Sequence, residues 1–265
     1  MESTIFPVRA TKPVAGYIGG KRNLSRRLVE MIGATPHALY AEPFVGMGGV
    51  FLRRTRRPGM EVINDWSADV ATLFRVLQRH YVAFMDMLRF QLTTREGFER
   101  LQRTDPSTLT DLERAARFLY LQRVAFGGKV EGRNFGAVYA GGARFDVTRL
   151  QPILEDIHAR LAGVVIERLP FADFIRRYDR PGTLFFIDPP YWGCEDDYGE
   201  GMFSEADFEV LRALLQALQG RFILTLNDVP ETRALFAQFH IEPVQLTYRL
   251  SGPPTEGREL IFTGP

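Results

Sequence analysis

This chain of 265 residues has very little cysteine and no long apolar run. Cys194 is its one cysteine, which excludes an intramolecular disulfide and a cluster of cysteine metal ligands. No apolar stretch approaches the roughly 20 residues that span a bilayer. The N-terminus also lacks the charged start and apolar block of a signal peptide. We therefore expect a cytoplasmic protein with no membrane partner and no cysteine-bound metal cluster.

Lysine is scarce as well, and the charges are unevenly distributed. Lys12, Lys21 and Lys129 are the three lysines among 33 basic residues. Residues 114–149 hold seven basic and two acidic side chains, whereas residues 183–210 hold eight acidic side chains and no Lys or Arg. A charged run is usually a solvated face. The separation of signs indicates a basic surface around a site that is not itself basic.

Segments typical of strands and of helices alternate along the chain. Strands are predicted at 37–42, 61–63, 164–168, 184–187 and 222–226, with a closing antiparallel pair at 245–248 and 259–262. Helices are predicted from about Val50 and over 68–92, 95–102, 109–125 and 148–161. This alternation favours an α/β fold with a Rossmann-like, mostly parallel, doubly wound sheet. Residues 66–147 are expected to be an inserted helical region with a glycine-rich loop at 126–145.

The most informative residues follow the apolar segment 183–187. Asp188 ends that segment, Pro189 and Pro190 cannot donate hydrogen bonds to a sheet, and Tyr191 comes next. Such a turn is rigid and holds a carboxylate, a carbonyl and an aromatic ring close together. The Asp188 carboxylate and the Pro189 carbonyl can accept hydrogen bonds from the amino group of a base on which Tyr191 stacks. The alternative is a simple strand end, with Tyr191 capping the core.

A glycine-rich turn follows the first predicted strand of the sheet. It contains Phe44, Gly46 and Gly48, and Asp65 follows the second strand, 17 residues after Gly48. Glycines allow close approach of a ligand to the backbone, and an acid at this place commonly binds ribose hydroxyls. The spacing is neither that of a P-loop nor that of a dinucleotide fold. It favours a nucleoside cofactor without phosphates, S-adenosylmethionine; alternatively, the glycines serve only a tight turn.

These motifs belong to a longer series that runs along almost the whole chain. Members of the series lie at residues 17–21, 43–51, 63–65, 173–174 and 188–191, with weaker ones at 225–228 and 259–261. Their order resembles that of the Dam-type, α-class DNA adenine N6-methyltransferases, and residues 128–136 are closer to those of phage-borne members. The resemblance implies an S-adenosylmethionine-binding catalytic domain of residues 1–65 and 148–265. Residues 66–147 would form the DNA-binding, target-recognition region.

The same resemblance implies roles for individual residues. The implied cofactor-binding residues are Tyr17, Lys21, Phe44, Gly46, Gly48, Asp65, Phe174 and Asp188. Among them, Lys21 would lie near the carboxylate of the cofactor, Asp65 would hold the ribose and Phe174 would pack on the cofactor adenine. The implied catalytic residues, which would hold the target base, are Asp188, Pro189 and Tyr191.

Lys129, Arg133, Asn134 and Tyr198 are the expected DNA-binding residues. Lys129 and Arg133 would either read guanine in a major groove or bind phosphate. Tyr198 is either a further tyrosine beside the site or an exposed loop residue. The segment around Arg133 departs from relatives that read GATC, so the resemblance does not predict a recognition sequence.

The implied reaction is methyl transfer from S-adenosylmethionine to the N6 amino group of an adenine flipped out of double-stranded DNA. We expect one chain to act as a monomer, with no metal and no covalent enzyme intermediate. Cys194 is expected to be a buried or loop thiol and not the nucleophile of a cytosine carbon methylase. Two alternatives stay open: methylation of another amino group, such as cytosine N4 or an RNA adenine, and a DNA-binding relative that has lost catalysis.

Overall fold

A computed structural model describes residues 4–21, 23–125, 130, 132–136, 144–195, 201–248 and 255–264. The strands over these residues are β1 (Phe6–Pro7), β2 (Leu39–Glu42), β3 (Arg56–Arg57), β4 (Met60–Asn64), β5 (Val165–Glu167), β6 (Thr183–Ile187), β7 (Arg221–Asn227), β8 (His240–Tyr248) and β9 (Thr255–Gly264). The helices are α1 (Ser25–Ala34), α2 (Ala68–Arg79), α3 (Tyr81–Leu88), α4 (Arg95–Arg103), α5 (Asp111–Val124), α6 (Val147–Arg160), α7 (Phe171–Tyr178), α8 (Glu205–Gln216) and α9 (Pro230–Leu235). None of these helices is long and apolar enough to cross a membrane.

Seven strands form one sheet in the order β5-β4-β2-β6-β7-β9-β8. Neighbouring strands from β5 to β7 are parallel, whereas β9 is antiparallel to both β7 and β8. The predicted α/β class with a mostly parallel sheet is therefore confirmed. The chain runs outward from β2 to β4 and β5, then returns to the middle at β6 and runs the other way. The switch point of the sheet, where such folds bind ligands, lies between β2 and β6.

The central strand β6 is buried on both faces. Leu184 and Phe186 pack into one hydrophobic cluster, together with residues of α1, α2, α5 and α6. Phe185 and Ile187 pack into a second cluster, together with residues of α7 and α8. Because successive side chains of a strand point to opposite faces, a strand covered on both sides needs apolar residues throughout. This requirement explains the apolar segment in front of Asp188.

The helix predicted over 68–92 is two helices in the structure. His80 separates α2 from α3, with backbone angles of φ −126° and ψ 29° that are outside the helical range. The apolar spacing continues through the break, because Leu73 in α2 and Phe84 in α3 are both buried in the first cluster. The pattern thus predicted the buried face correctly and missed the change in direction.

The inserted region shares its core with the sheet. Phe84 of α3 and Phe118 of α5 lie in the same cluster as Tyr40 of β2 and Ile63 of β4. The helices of residues 66–147 are therefore anchored to the sheet by apolar packing over the part of the chain that is described. The division of the chain at residues 65/66 and 147/148 stays a prediction.

A buried charge network fixes one end of the sheet. The helix predicted from about Val50 is only the short 3₁₀ turn Phe51–Arg53, after which Arg54 turns inward. Arg54 Nη1 donates to Glu61 Oε1 over 2.6 Å, and Arg160 Nη1 donates to Glu61 Oε2 over 2.7 Å. All three side chains are buried. Two guanidinium groups thus share one carboxylate between β4, the end of α6 and the segment before β3.

We expect Glu61→Gln to lower the free energy of unfolding by about 3–5 kcal/mol, because it leaves two buried guanidinium groups without their counter-charge. Urea unfolding followed by circular dichroism measures this loss. The matched control is Glu30→Gln, which breaks the exposed pair of Glu30 with Arg26. That control should change stability little, since exposed pairs contribute little. Equal effects of the two substitutions would contradict the role given to the network.

Candidate functional site

A cavity of about 800 Å³ opens at the carboxyl ends of β2, β4 and β6, at the switch point of the sheet. Its wall includes segment 12–21, residues of the turn 42–50 after β2, residues 65–67 after β4, and Asp188 and Pro190 after β6. Side chains of α5 and α6 complete it. Six of the predicted cofactor-binding residues line this cavity: Tyr17, Lys21, Phe44, Gly46, Asp65 and Asp188.

Asp65 ties the glycine turn to the end of β4. Its Oδ2 accepts a hydrogen bond of 2.9 Å from the backbone N–H of Gly46, and its Oδ1 accepts one of 2.9 Å from that of Ser67. Burial raises the pKa of Asp65 to about 6, although both backbone N–H groups favour the ionised form. Gly46 has φ +50°, and a Cβ there would lie 3.1 Å from the ring of Tyr17. A side chain at Gly46 would therefore be strained and would displace a residue of the cavity wall.

Gly48 is placed differently from the prediction, because it is buried behind the cavity wall. It has φ +74°, and a Cβ at this position would lie 2.9 Å from Leu52 and 3.5 Å from Phe74. Gly48 thus serves the positive φ of the turn and the close packing behind it. It does not line the cavity.

Phe174 also lies away from the cavity. It is 0% exposed within the second hydrophobic cluster, and its ring centroid is 5.0 Å from that of Tyr178. The physical reason is its position one turn into α7, where an apolar side chain faces the sheet. The prediction that Phe174 packs on a ligand in this cavity is therefore not matched by its position.

A different group of aromatic rings stands at the cavity. The ring centroid of Phe44 lies 5.5 Å from that of Phe171 and 5.8 Å from that of Phe203. Phe44 and Phe203 line the cavity, and Phe171, the first residue of α7, packs against both rings. The sequence signal for Phe171 was its spacing of three residues from Phe174, which places the two rings on neighbouring turns. Phe203 follows residues 196–200, which lie outside the described part, and gave no signal.

Asp188 extends from the end of β6 into the cavity, with 18% of its side chain exposed. Its Oδ1 lies 2.6 Å from Lys21 Nζ and accepts a hydrogen bond of 2.7 Å from Thr225 Oγ1. Burial raises the pKa of this carboxyl, while Lys21 and Thr225 oppose that rise by stabilising the charged form. The carboxylate therefore points toward the glycine-lined cavity and is held on one oxygen.

Lys21 binds the residues that were predicted to hold the target base. Besides Asp188, its Nζ donates to the hydroxyl of Tyr191 over 2.6 Å and to the Gly19 carbonyl over 3.2 Å. Its side chain is 3% exposed, and Glu259 Oε2 lies 4.0 Å from Nζ. The sequence predicted that Lys21 lies near the carboxylate of the cofactor. In the structure its ammonium group instead contacts the Asp188 carboxylate.

The turn after Asp188 is fixed by a side chain of β7. Pro189 and Pro190 are buried, Tyr191 is half-buried, and Asn227 binds the backbone of Trp192. The Trp192 N–H donates to Asn227 Oδ1, and Asn227 Nδ2 donates to the Trp192 carbonyl, both over 3.0 Å. Neither Thr225 nor Asn227 had been predicted as a site residue, because nothing in a single sequence pairs the end of one strand with the turn after another.

Glu42 is a further cavity residue that the sequence did not single out for its chemistry. It is buried at the end of β2, and its Oε2 accepts a hydrogen bond of 2.6 Å from the Tyr40 hydroxyl. Burial raises the pKa of Glu42 to about 8, and the negative charge of Asp188 contributes to the rise. The carboxyl is therefore mostly protonated at neutral pH and places a hydrogen-bond donor in the cavity wall.

The predicted DNA-binding residues fall into three groups. Arg133 is 9% exposed, and its Nη2 donates to Gln122 Oε1 over 3.1 Å, so its guanidinium faces α5 rather than solvent. Asn134 is exposed. Lys129 and Tyr198 lie outside the described residues. The structure thus does not present Arg133 for contact with a nucleic acid.

The described residues contain no group of three or more His, Cys, Asp or Glu side chains placed to hold a metal ion. Cys194 is exposed just beyond the turn that follows β6.

Comparison with known proteins shows one family over most of the chain. The family described as D12 class N6 adenine-specific DNA methyltransferase matches residues 17–250. The chain is 20% identical over 240 residues to the type II methyltransferase M.CviBI of Paramecium bursaria Chlorella virus NC1A, covering 90% of this chain and 91% of that protein. It is 25% identical over 274 residues to the type II methyltransferase M1.LlaDCHI of Lactococcus lactis subsp. cremoris, covering 95% of each.

A phage protein is also similar. The DNA N-6-adenine-methyltransferase of Escherichia phage P1 is 26% identical over 219 residues, which cover 77% of this chain and 28% of the phage protein.

We expect Glu42→Gln to reduce the pH dependence of stability. The pKa of Glu42 in the folded protein, about 8, is above its ordinary value of 4.5. The contribution of the neutral carboxyl is therefore complete below the ordinary pKa and is lost as the pH rises toward the folded one. We measure the free energy of unfolding with urea at about pH 5 and at about pH 8. Between these pH values it should fall further in the wild type than in the variant, by on the order of a few kcal/mol. Equal losses would mean that Glu42 is ionised in the folded protein.

Proposed function

Because the chain belongs to the family of D12 class N6 adenine-specific DNA methyltransferases, we propose that it methylates the N6 amino group of an adenine flipped out of double-stranded DNA, with S-adenosylmethionine as the methyl donor. The family match confirms the family that the order of the motifs suggested. It also confirms the expectation of an enzyme that methylates adenine in DNA. The assignment of roles to individual residues is part of the proposal.

One observation carries the assignment of the site. The Asp188 carboxylate and the glycine turn with Asp65 line the same cavity. A methyl donor held by the glycine turn and an amino group held by Asp188 can therefore meet without a large movement of the backbone. Bringing two reactants together in this way is a major source of rate in group transfer.

The cavity suits S-adenosylmethionine in size and chemistry. Its volume of about 800 Å³ is in the range of small-molecule sites. Gly46 gives close backbone approach, Asp65 is placed to accept hydrogen bonds from ribose hydroxyls, and the rings of Phe44 and Phe203 offer apolar surface to an adenine ring. We assign this adenine contact to Phe44 and Phe203 instead of Phe174. When bound, the cofactor supplies an electrophilic methyl group on a sulfonium centre.

Residues of this chain bind the target base and accept the proton that its amino group loses. Oδ1 of Asp188 already receives Lys21 and Thr225, so Oδ2 is the oxygen that we assign to the base amino group. The Pro189 carbonyl accepts the second amino hydrogen, and Tyr191 stacks on the base. These two acceptors draw the nitrogen lone pair out of conjugation and aim it at the donor. The proton that the methylated nitrogen loses goes to Asp188, whose raised pKa suits an acceptor.

The connection between α3 and α4 is the best candidate for a DNA-facing surface outside the cavity. Phe90 is 81% exposed and Leu92 is 73% exposed. Exposed arginines flank them at Arg89 and Arg95, and no acidic residue occurs from 87 to 95. Exposed apolar side chains between cations suit a partner that offers phosphates beside base edges and sugars.

This connection lies beside the predicted target-recognition segment. Thr93 Oγ1 donates to the Phe145 carbonyl over 3.1 Å, and the Arg95 guanidinium lies 4.9 Å from the centroid of Phe135. The backbone N–H of Thr94 donates to the hydroxyl of Tyr120, near the end of α5. That end of α5 also carries Arg123, which lines the cavity. We therefore propose that DNA lies across residues 89–95 when its target base enters the cavity.

The remaining parts of the proposal concern assembly and target. We propose that a monomer acts, in the cytoplasm where its DNA substrate is found. Residues 66–147 provide the DNA-binding region. Asn134, Lys129 and Tyr198 remain proposed DNA contacts. The flipped base costs a few kcal/mol of unstacking, which the contacts of Tyr191 and Asp188 offset.

Asp188→Asn should lower the rate of methyl transfer by at least about 100-fold, because the amide keeps the shape of the carboxylate and loses its charge. Binding of S-adenosylmethionine, measured by calorimetry, should change only a few-fold. Transfer of a labelled methyl group to duplex DNA measures the rate, and nucleoside analysis of the product identifies the base. N4-methylcytosine, methylation of RNA alone, or no transfer by the wild type would each contradict the proposed function.

Replacing both Phe90 and Leu92 by Ser should weaken binding of duplex DNA by about tenfold or more, since two apolar contacts are lost. Fluorescence anisotropy with a labelled duplex measures the affinity, and cofactor binding should not change. Val210→Ser, which removes an exposed apolar side chain from α8, is the matched control. Unchanged DNA affinity in the double variant, or a dimer in sedimentation that the variant abolishes, would contradict the DNA surface.

A further inference from the structure

The last residues of β7 bind both ends of the turn that carries the catalytic carboxylate. Thr225 and Asn227 are two residues apart on one strand, so their side chains lie on the same face. Thr225 Oγ1 donates to Asp188 Oδ1 over 2.7 Å. Asn227 makes its two hydrogen bonds of 3.0 Å with the N–H and the carbonyl of Trp192, four residues later. One strand thus contacts the first and the last residue of the turn 188–192.

We propose that Thr225 and Asn227 are positioning residues for methyl transfer: Thr225 orients the carboxylate of Asp188, and Asn227 fixes the backbone of the turn on which Asp188 and Tyr191 stand. This inference rests on the proposed function, because it assigns to both residues an effect on the same reaction. Neither residue touches the methyl donor or the base in this scheme. Each acts through the groups that do.

The two prolines of the turn explain why side chains are needed here. Pro189 and Pro190 have no N–H, so this stretch of backbone cannot be tied to β7 by ladder hydrogen bonds from its own donors. The turn begins one residue after β6, which pairs with β7 up to Ile187 and Leu224. Beyond that pair, Thr225 and Asn227 continue the connection with their side chains. Asn227 imitates a backbone group, with one acceptor and one donor.

Thr225 also decides which oxygen of Asp188 faces the base. Its side chain is 0% exposed, so its hydroxyl has no water to replace the carboxylate. Both Thr225 and Lys21 contact Oδ1, on the side of β7 and of segment 12–21. Together they turn Oδ2 toward the cavity. Without the hydroxyl, a single ion pair would hold the carboxylate, and a single contact leaves it free to rotate.

The charged groups around Asp188 determine the sign of any effect of pH. Lys21 favours the ionised carboxylate, whereas Glu259 on β9 disfavours it. Glu42 on β2, which is mostly protonated at neutral pH, adds a repelling charge only where it ionises. Thr225 donates a hydrogen bond to the ionised form and therefore lowers the pKa of Asp188. Removing that donor raises the pKa, so activity that needs the ionised carboxylate is lost at a higher pH.

The first experiment compares Thr225→Val with Thr225→Ser in the full-length enzyme. Valine has the shape of threonine without the hydroxyl, and serine keeps the hydroxyl. For Thr225→Val we expect kcat to fall about tenfold and the acid limb of the kcat–pH profile to move up by about one pH unit. KM for DNA and the Kd of S-adenosylmethionine should stay within about twofold, since positioning acts on the transition state. Thr225→Ser should restore both kcat and the acid limb.

The second experiment tests the other end of the turn with Asn227→Asp and Asn227→Ala. Both lose the donor to the Trp192 carbonyl, and we expect kcat to fall about tenfold or more because the turn is displaced. The acid limb should stay where it is in Asn227→Ala, since no hydrogen bond to Asp188 is lost. Melting temperatures identify any variant that fails to fold, and the serine variant keeps the test decisive in that case.

One outcome would overturn the inference for Thr225 and leave the proposed function intact. In that outcome the wild type is active, and Thr225→Val has the same kcat and the same acid limb as the wild type. A wild type that transfers no methyl group would instead remove the proposed function. Loss of activity in Thr225→Val that Thr225→Ser does not recover would mean that packing, and not the hydroxyl, is the contribution of this residue.

Discussion

The ion pair of Lys21 with Asp188 is the interaction on which the rest of the site depends. A carboxylate at the end of a buried strand loses hydration, and it stays ionised only if charges or donors in the protein replace the water. Lys21 supplies a positive charge and Thr225 supplies a hydrogen-bond donor, both to Oδ1 of Asp188. Lys21 also donates a hydrogen bond to the hydroxyl of Tyr191. The residues come from three places in the chain, so the acid, the ring and the cavity wall form one unit.

The order of the strands explains why that unit adjoins a binding cavity. Since β2 and β6 are parallel neighbours, the glycine turn after one and the carboxylate after the other leave the sheet at the same edge. The chain then runs away from this point in both directions, which leaves a space that none of the described helices fills. The cavity with Asp65, Gly46 and Asp188 occupies that space. Methyl donor and acceptor are thus brought together by the topology as much as by individual residues.

The positions of several aromatic and basic residues follow from packing. Phe174 has the right neighbours in sequence for a ligand contact, but its place in α7 directs it into the core, and Phe44 with Phe203 faces the cavity instead. Arg133 likewise lies in a basic segment but turns toward Gln122. The same packing leaves Phe90 and Leu92 exposed beside that segment, where apolar side chains are costly unless a partner covers them.

The sequence by itself determined the class of fold, the family, and the residues that follow β2, β4 and β6. The alternation of strands and helices and the order of short motifs are properties of the linear sequence, so both can be recognised without the structure. The tertiary structure alone decided that Lys21 binds Asp188, that Thr225 and Asn227 hold the ends of the turn, and that Gly48, Phe174 and Arg133 lie away from the cavity. These facts depend on which strands become neighbours and on which face of an element is covered. Burial and long-range pairing act between residues far apart in the chain, such as Lys21 and Tyr191, and no spacing within a single segment records them.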